Sequence, residues 1–289
     1  MTTTPDIAAA ERFLVAGARV IERRRFARRF GGGPAGPVRD AVAAYRNGDG
    51  GFGHALEPDS RTSASQPLAT WTALRILHED DAWDPALAVA ACDWLASAAP
   101  AGGGAPAVAA GLAQAPHAPW MADLPGPSLI STGLLTGVLH ARAAAHSWLD
   151  RATEVMWELV AGLADEQRHP YEIRAVLAFL AHVPDREAAR RAIPEVLALI
   201  GRWGLVAEDP DAPGETHGPL DFAPRPDAPA RSMFPDALIE RHLDHLAAAQ
   251  LADGGWEFDW GHWSPAAAAE TRAIVTLENL IVLRAYGRV

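Results

Sequence analysis

Apolar residues recur at the spacing of an α-helix along most of this chain, whereas the alternating runs typical of β-strands are nearly absent. Several helical segments begin with a capping residue followed by proline, as in Asp84-Pro85 and Ser264-Pro265. The predicted helices cover 6–29, 37–46, 66–78, 85–98, 128–145, 147–164, 170–182, 185–202, 235–250 and 266–286. We therefore expect an all-α fold.

Two long stretches interrupt this pattern. Residues 99–127 are rich in Gly, Ala and Pro, and residues 203–234 are rich in Pro, Asp and Gly. Loops of this length are often functional lids or mobile segments, and they can also link domains. Because the helical pattern is the same on both sides of each loop, we expect a single domain over residues 1–289.

The sequence Asp-Gly-Gly-aromatic occurs twice, at 49–52 and 253–256, each time after a helical segment. Glycine supplies the positive φ that ends a helix, Asp can bond the backbone of the turn, and the aromatic ring can fill the gap between hairpins. A helix with small or polar residues at its start follows each turn, and similar helices begin near 129 and 170. A repeat of roughly 50 residues predicts an α/α toroid, a ring of helical hairpins, or an open α-solenoid.

The stretch "HLAAAQLADGGW" (245–256) resembles the QW repeat of the squalene–hopene cyclases, related terpenoid cyclases and protein prenyltransferase β subunits. "AVAAYRNGDGGF" (41–52) is similar, with Arg46 where Gln is usual and Phe52 where Trp is usual. The resemblance implies an α/α toroid with a hydrophobic central cavity. It also implies a mainly structural role for the residues of the two turns, Asp49, Gly50, Gly51, Asp253, Gly254 and Gly255.

Ionisable residues lie just downstream of each turn. If the ring closes, both groups reach the same rim, where burial among Trp side chains would raise the pKa of a carboxyl group and suit it to general acid catalysis. The alternative is that they only form Asx turns, caps and ion pairs. The candidate catalytic residues are His54, Glu57, Asp59, Asp259, His262 and Glu270.

Aromatic residues accompany these groups. Their ring faces can stabilise carbocations, as in a cyclase, but aromatic clusters also line sugar subsites and pack protein cores. The candidate substrate-binding residues are Phe52, Trp71, Trp256, Trp260, Trp263 and Arg272.

From the resemblance and these residues we expect a terpenoid cyclase-like protein that binds a hydrophobic isoprenoid-type molecule, with its cyclisation or another transformation as the expected chemistry. Glu57 or Asp59 would donate the proton and His54 would orient it. One alternative is a carbohydrate-active toroid hydrolase or lyase with paired carboxylates such as Glu57 and Glu270. The other is a non-enzymatic binding protein on the same fold.

A DDxxD pattern, at Asp80, Asp81 and Asp84, matches the magnesium–diphosphate motif of class I terpene synthases. Here it falls between two helices, and Asp84 before Pro85 indicates a helix cap instead. A mixed site of His54, Glu57, Asp59 and His262 matches no known zinc spacing. We therefore expect no metal and no cofactor.

The formal net charge of −11 argues against a nucleic-acid partner. One cysteine, no basic-apolar leader and no long apolar run lead us to expect a soluble cytoplasmic protein. Residues Arg23–Arg29 form the one basic cluster, which could touch an anionic membrane surface or complement a helix dipole. The oligomeric state stays open.

Overall fold

A computed structural model describes residues 4–122 and 124–289. Within them it has twelve α-helices, three short turns of 3₁₀-helix and no strand, which confirms the predicted all-α fold class. The chain divides into two compact units. We call residues 32–194 the middle unit, and residues 4–31 with 195–289 the terminal unit. The single domain and the toroid stay predictions.

Helices of the middle unit alternate between two packing positions. Helices α4, α6 and α8 pack side by side, with α6 between the other two, while α5 packs on α4 and α7, and α7 on α6. The helices are α3 (Gly36–Ala43), α4 (Pro67–Glu79), α5 (Pro85–Ala98), α6 (Leu129–Ala141), α7 (Ser147–Ala161) and α8 (Pro170–His182). Most residues of α4 and α6 are therefore buried, including Thr70, Thr132 and Thr136 at 0% exposure.

Helices of the terminal unit include the first and the last of the chain, which pack against each other. They are α1 (Ile7–Gly17), α2 (Val20–Phe30), α10 (Pro219–Phe222), α11 (Asp236–Ala248) and α12 (Pro265–Ala285). Helix α9 (Arg186–Arg202) crosses the boundary between the units at Pro194. Outside α10 and a 3₁₀ turn at Arg231–Met233, the loop predicted at 203–234 is irregular.

The predicted helix over 6–29 is wrong in one respect, because it is two helices. Ala18 and Arg19 are extended, with ψ of 156° and 162°. Gly17 ends α1, and the side chain of Arg19 donates to that of Glu22 at 2.6 Å in the first turn of α2. A negative charge near the start of a helix interacts favourably with the positive end of the helix dipole. Glu22 therefore stabilises a new helix that begins here.

The basic cluster lies on α2. Arg28 and Arg29 occupy its last turn, where they complement the dipole, while Arg25 is 2% exposed and pairs with Glu278 of α12 at 2.8 Å. Contact of Arg23–Arg29 with a membrane surface stays a prediction, and Arg25 is too buried to contribute to it. Among the described residues, no helix has the length and apolarity to cross a bilayer.

Helices α6 and α8 approach very closely. A Cβ atom added to Gly133 would lie 2.8 Å from the carbonyl oxygen of Ala175, and one added to Gly137 would lie 2.7 Å from that of Ala178. These two glycines, one turn apart, bring the helix backbones together as small residues do at tight helix crossings. The space between α6 and α8 is therefore filled by backbone.

The second Asp-Gly-Gly turn, between α11 and α12, holds the start of α1 in place. The Gln250 side chain accepts from the Asp6 N–H at 2.7 Å and donates to the carbonyls of Asp6 and Gly254, both at 3.0 Å. Gly254 has φ +93°, and its Cβ would lie 2.3 Å from the Ala9 carbonyl oxygen. Trp256 is 1% exposed and donates its indole N–H to Leu246 of α11. The turn is thus a structural clamp.

The first turn repeats this geometry in the middle unit. Gly50 has φ +97°, and its Cβ would lie 2.3 Å from the Ala90 carbonyl oxygen of α5. The Phe52 N–H donates to Thr70 Oγ1, as the Trp256 N–H donates to Thr276 Oγ1. Asp49 and Asp253 each accept the N–H two residues on. The expected structural role of both turns agrees with these contacts.

We expect Gly254→Ala to lower the free energy of unfolding by about 2–4 kcal/mol, because the methyl group combines a left-handed conformation with a backbone clash. Gly261→Ala is the matched control, since Gly261 lies in the same unit with nothing within 4 Å of its added Cβ. Urea denaturation of both variants measures the difference. Equal midpoints for the two variants would contradict the clamp.

His140 at the end of α6 is half-buried, and one ring nitrogen lies 2.8 Å from Thr153 Oγ1. The Thr153 hydroxyl donates to the Leu149 carbonyl, so it accepts from His140. Burial lowers the pKa of His140, although nearby Asp150 opposes the change. The folded protein therefore favours the neutral ring.

Because the folded pKa lies below the unfolded value, the unfolded chain binds more protons and stability falls with falling pH. We expect the loss contributed by His140 to begin as pH drops through about 6.5 and to level off below its folded pKa. His140→Gln keeps an N–H donor and should show a shallower decline. Unfolding free energies measured between pH 8 and pH 5 compare the two, and identical slopes would rule His140 out.

Candidate functional site

Two residues with strained backbone open the first predicted site segment. His54 and Ala55 have φ of +55° and +58°, a left-handed conformation that non-glycine residues rarely adopt and that costs about 1–2 kcal/mol each. The His54 side chain is exposed and lies 2.8 Å from Asn47 Oδ1, which holds the imidazole over the first turn. Two consecutive residues of this kind mark a segment whose shape is maintained by its surroundings.

This segment forms one wall of a crevice at the start of α4. The volume of the crevice is about 10 Å³, and Glu57 is half-buried within it. Thr72 Oγ1 donates to the Glu57 carboxylate at 3.4 Å. Apolar and uncharged polar groups make up the rest of the lining, namely Gly53, Ala55, Leu56, Ser60, Thr62, Gln66, Leu68, Ala69 and Met121.

Residues 105–121, which we call the strap, cover the start of α4. The carboxylate of Asp59 accepts the indole N–H of Trp120 at 2.7 Å, and its carbonyl accepts the Ala118 N–H at the same distance. Asp59 therefore holds the strap in place. This contact gives Asp59 a structural function. The role of Asp59 as a proton donor stays a prediction.

The second predicted segment lies in the terminal unit, whereas Glu57 lies in the middle unit. Asp259 and His262 are exposed. The ring of Phe258 packs at 4.8 Å from that of Trp260 and 6.3 Å from that of His262, which makes a small surface cluster. Trp260 is 37% exposed and Trp263 is half-buried.

Glu270 and Arg272 lie on α12 and take part in ion pairs. Arg272 contacts Asp253 at 2.8 Å and Glu257 at 3.4 Å. The hydrogen bond from Arg272, with that from the Gly255 N–H, lowers the pKa of Asp253. Glu270 lies 4.0 Å from Arg19. Arg272 thus secures the second turn, and its binding of a substrate stays a prediction.

Of the predicted aromatic wall, Phe52 and Trp256 are 0% and 1% exposed and act as wedges in the core. Trp71 on α4 is half-buried, with the Arg75 guanidinium 5.1 Å from its ring centre. The predicted meeting of both segments at one rim stays a prediction, as does the carboxylate pair of Glu57 and Glu270, because the two residues belong to different units.

The DDxxD pattern forms a capped turn, as its position suggested. Asp84 accepts from the Ala86 N–H at 2.9 Å as the N-cap of α5. Asp81 has φ +52° and lies 3.5 Å from Arg142. Within residues 4–122 and 124–289, no group of three or more His, Cys, Asp or Glu side chains is arranged to hold a metal ion.

Sequence reasoning missed two features. The strap was seen only as a Gly- and Pro-rich loop, because the bidentate pairing of Gln66 with Ala109 that holds it joins residues 43 positions apart. An open groove of about 530 Å³ also lies in the terminal unit. Charged side chains line it, and its residues are Glu208, Asp209, Pro210, Asp211, Arg241 and His245.

No protein-family model and no curated protein matches the chain. Among solved structures, it is similar to the crystal structure of a protein from Actinoplanes, at 15% sequence identity and a TM-score of 0.50. The match covers 96% of this chain and 88% of that one. At this identity the likeness shows the fold alone.

We expect Ala55→Gly to raise the free energy of unfolding by about 0.5–1 kcal/mol, because glycine adopts φ +58° without the steric cost. Ala143→Gly is the matched control, since Ala143 has φ +49° in an exposed turn after α6. Thermal and urea unfolding measure both. A gain at Ala143 without one at Ala55 would show that the crevice segment is unstrained.

Proposed function

We propose that the protein binds a hydrophobic, isoprenoid-type small molecule in the crevice of the middle unit and that Glu57 protonates it. The observation that carries the proposal is a carboxyl group on a wall with Ala55, Leu56, Leu68 and Met121. A carboxyl group on such a wall can approach the carbon atoms of an apolar ligand directly, as general acid catalysis requires.

Two further observations support this location. The strained pair His54–Ala55 adjoins Glu57, and strain of this kind concentrates at ligand-binding and catalytic positions. The Thr72 hydroxyl donates to the Glu57 carboxylate, which helps to orient the carboxyl group in the crevice. In this proposal the Glu57 carboxyl group gives its proton to one carbon of the ligand's double bond, which breaks the π bond and leaves a carbocation. The Glu57 carboxylate then takes a proton from a neighbouring carbon, so an isomerised alkene forms and the acid is restored. We propose the cytoplasm as its location, in agreement with a single buried cysteine.

The test uses farnesol, a C15 isoprenoid alcohol, in deuterium oxide. Protonation of a carbon by the enzyme places one deuterium in the recovered product, which mass spectrometry detects as a gain of one mass unit. Removing a general acid typically costs about 10²–10⁴ in rate, so Glu57→Gln should lose this incorporation. Glu154→Gln, at an exposed ion pair with Arg151, is the control and should retain it. Full incorporation by Glu57→Gln would disprove the acid role.

A non-enzymatic binding protein is the second candidate function. The engagement of His54 with Asn47 and of Asp59 with Trp120 favours it, since both polar groups serve the fold. Native mass spectrometry of the protein with farnesol separates the two functions. Retained farnesol without deuterium incorporation would support binding alone.

A further inference from the structure

The crevice is too small for the ligand class that the proposed function requires. Its volume is about 10 Å³, enough for one water molecule at most, whereas small-molecule sites measure about 300–1,000 Å³. A ligand therefore enters only if one wall moves. The inference below rests on the proposed function for the identity of that ligand.

Most of the crevice wall is fixed. Leu56 is 0% exposed, and Ala69 belongs to the buried face of α4. Gln66 is 2% exposed and bonds Ala109 through both its amide oxygen and its amide nitrogen, at 2.9 and 3.1 Å. Of the lining residues, Met121 alone lies outside residues 53–69, since it belongs to the strap.

The strap consists of two halves that differ in how they are held. In residues 105–112, Ala105 is 0% exposed and its N–H donates to Thr132 Oγ1, while Thr62 Oγ1 donates to the Gly111 carbonyl. Leu112 is 5% exposed. Buried side chains and buried hydrogen bonds therefore anchor this half to α4 and α6.

The second half, residues 113–121, is mostly exposed. Trp120 is 52% exposed, and of these nine residues Ala118 alone is buried. The hydrogen bonds that link this half to the crevice segment include Arg61 N–H to Pro116 O, Ala118 N–H to Asp59 O, and Trp120 Nε1–H to Asp59 Oδ2. Segments with few buried contacts and exposed hydrogen bonds open at low free energy.

We propose that residues 113–121 are a flap that opens beyond the anchored Leu112 and admits the ligand to the Glu57 crevice. The Asp59–Trp120 hydrogen bond is the latch, and Met121 closes the entrance. Asp59 then acts on the flap, while Glu57 acts on the ligand. This assigns different tasks to two carboxylates that the sequence analysis grouped together.

The flap can be locked by a disulfide at Ser60 and His117. These residues form an antiparallel bridge whose hydrogen bonds lie on the flanking residues, so they are a non-hydrogen-bonded pair with Cα atoms about 4.5 Å apart. That spacing suits a disulfide. Burial raises the pKa of Cys92 to about 12, which keeps the native thiol from competing.

Hydrogen exchange tests the flap without any ligand. In the reduced S60C/H117C protein, we expect the amides of Arg61 and Ala118 to exchange at least tenfold faster than that of Thr70, which bonds Gln66 O within α4. Oxidation should slow Arg61 and Ala118 at least tenfold. Trp120→Phe, which loses the indole donor, should speed Ala118, whereas the control Tyr171→Phe on α8 should leave it unchanged. Exchange of Arg61 and Ala118 as slow as Thr70 before oxidation would overturn the flap.

Farnesol binding then tests the gate. We expect oxidation to lower the association rate at least tenfold and dithiothreitol to restore it. Equal association rates in the two states would overturn the gate and leave the proposed function standing. If exchange responds to oxidation as expected and farnesol binds neither state, the flap is supported and the proposed isoprenoid function fails.

Discussion

In each unit, a glycine of the Asp-Gly-Gly turn lies directly against a backbone carbonyl of a neighbouring helix. A Cβ atom added to Gly50 would lie 2.3 Å from the carbonyl oxygen of Ala90 in α5. One added to Gly254 would lie 2.3 Å from the carbonyl oxygen of Ala9 in α1. The aromatic residue two positions on can enter the core because the turn lies flat against that helix. The position of this anchored turn therefore sets the point at which the next helix begins. Everything downstream, including the crevice at the start of α4, depends on this close approach.

Helix positions followed from the sequence because periodicity and capping are local. Asp84 and Ser264 cap α5 and α12 as their neighbouring prolines indicated. The break at Ala18 escaped notice because the apolar pattern continues through it, and only the Arg19–Glu22 pair distinguishes the second helix. The single domain could not be tested from local patterns either, since the division into two units depends on contacts distant in sequence.

The candidate site was predictable only in part. Glu57 was recognised as a candidate from the charge cluster after the turn. Its crevice could not be predicted from the sequence, because the crevice wall includes Met121, which lies more than sixty residues further along the chain. The two Asp-Gly-Gly turns suggested two equivalent site segments. In the structure their equivalence is one of backbone geometry, since the first adjoins a crevice and the second bears an exposed aromatic cluster. A repeated turn therefore preserves a scaffold and leaves the chemistry beside it free to differ.

The bond between Asp6 and Gln250 joins residues 244 positions apart. A ribosome adding about 5–20 residues per second needs roughly 10–50 s to make that length of chain. During this interval Ala10 and Leu14, which end up 0% and 1% exposed, have not yet met the hairpin of α11 and α12. Helix α1 therefore reaches its final contacts at least that long after it is synthesised, and a chaperone can bind it during this interval.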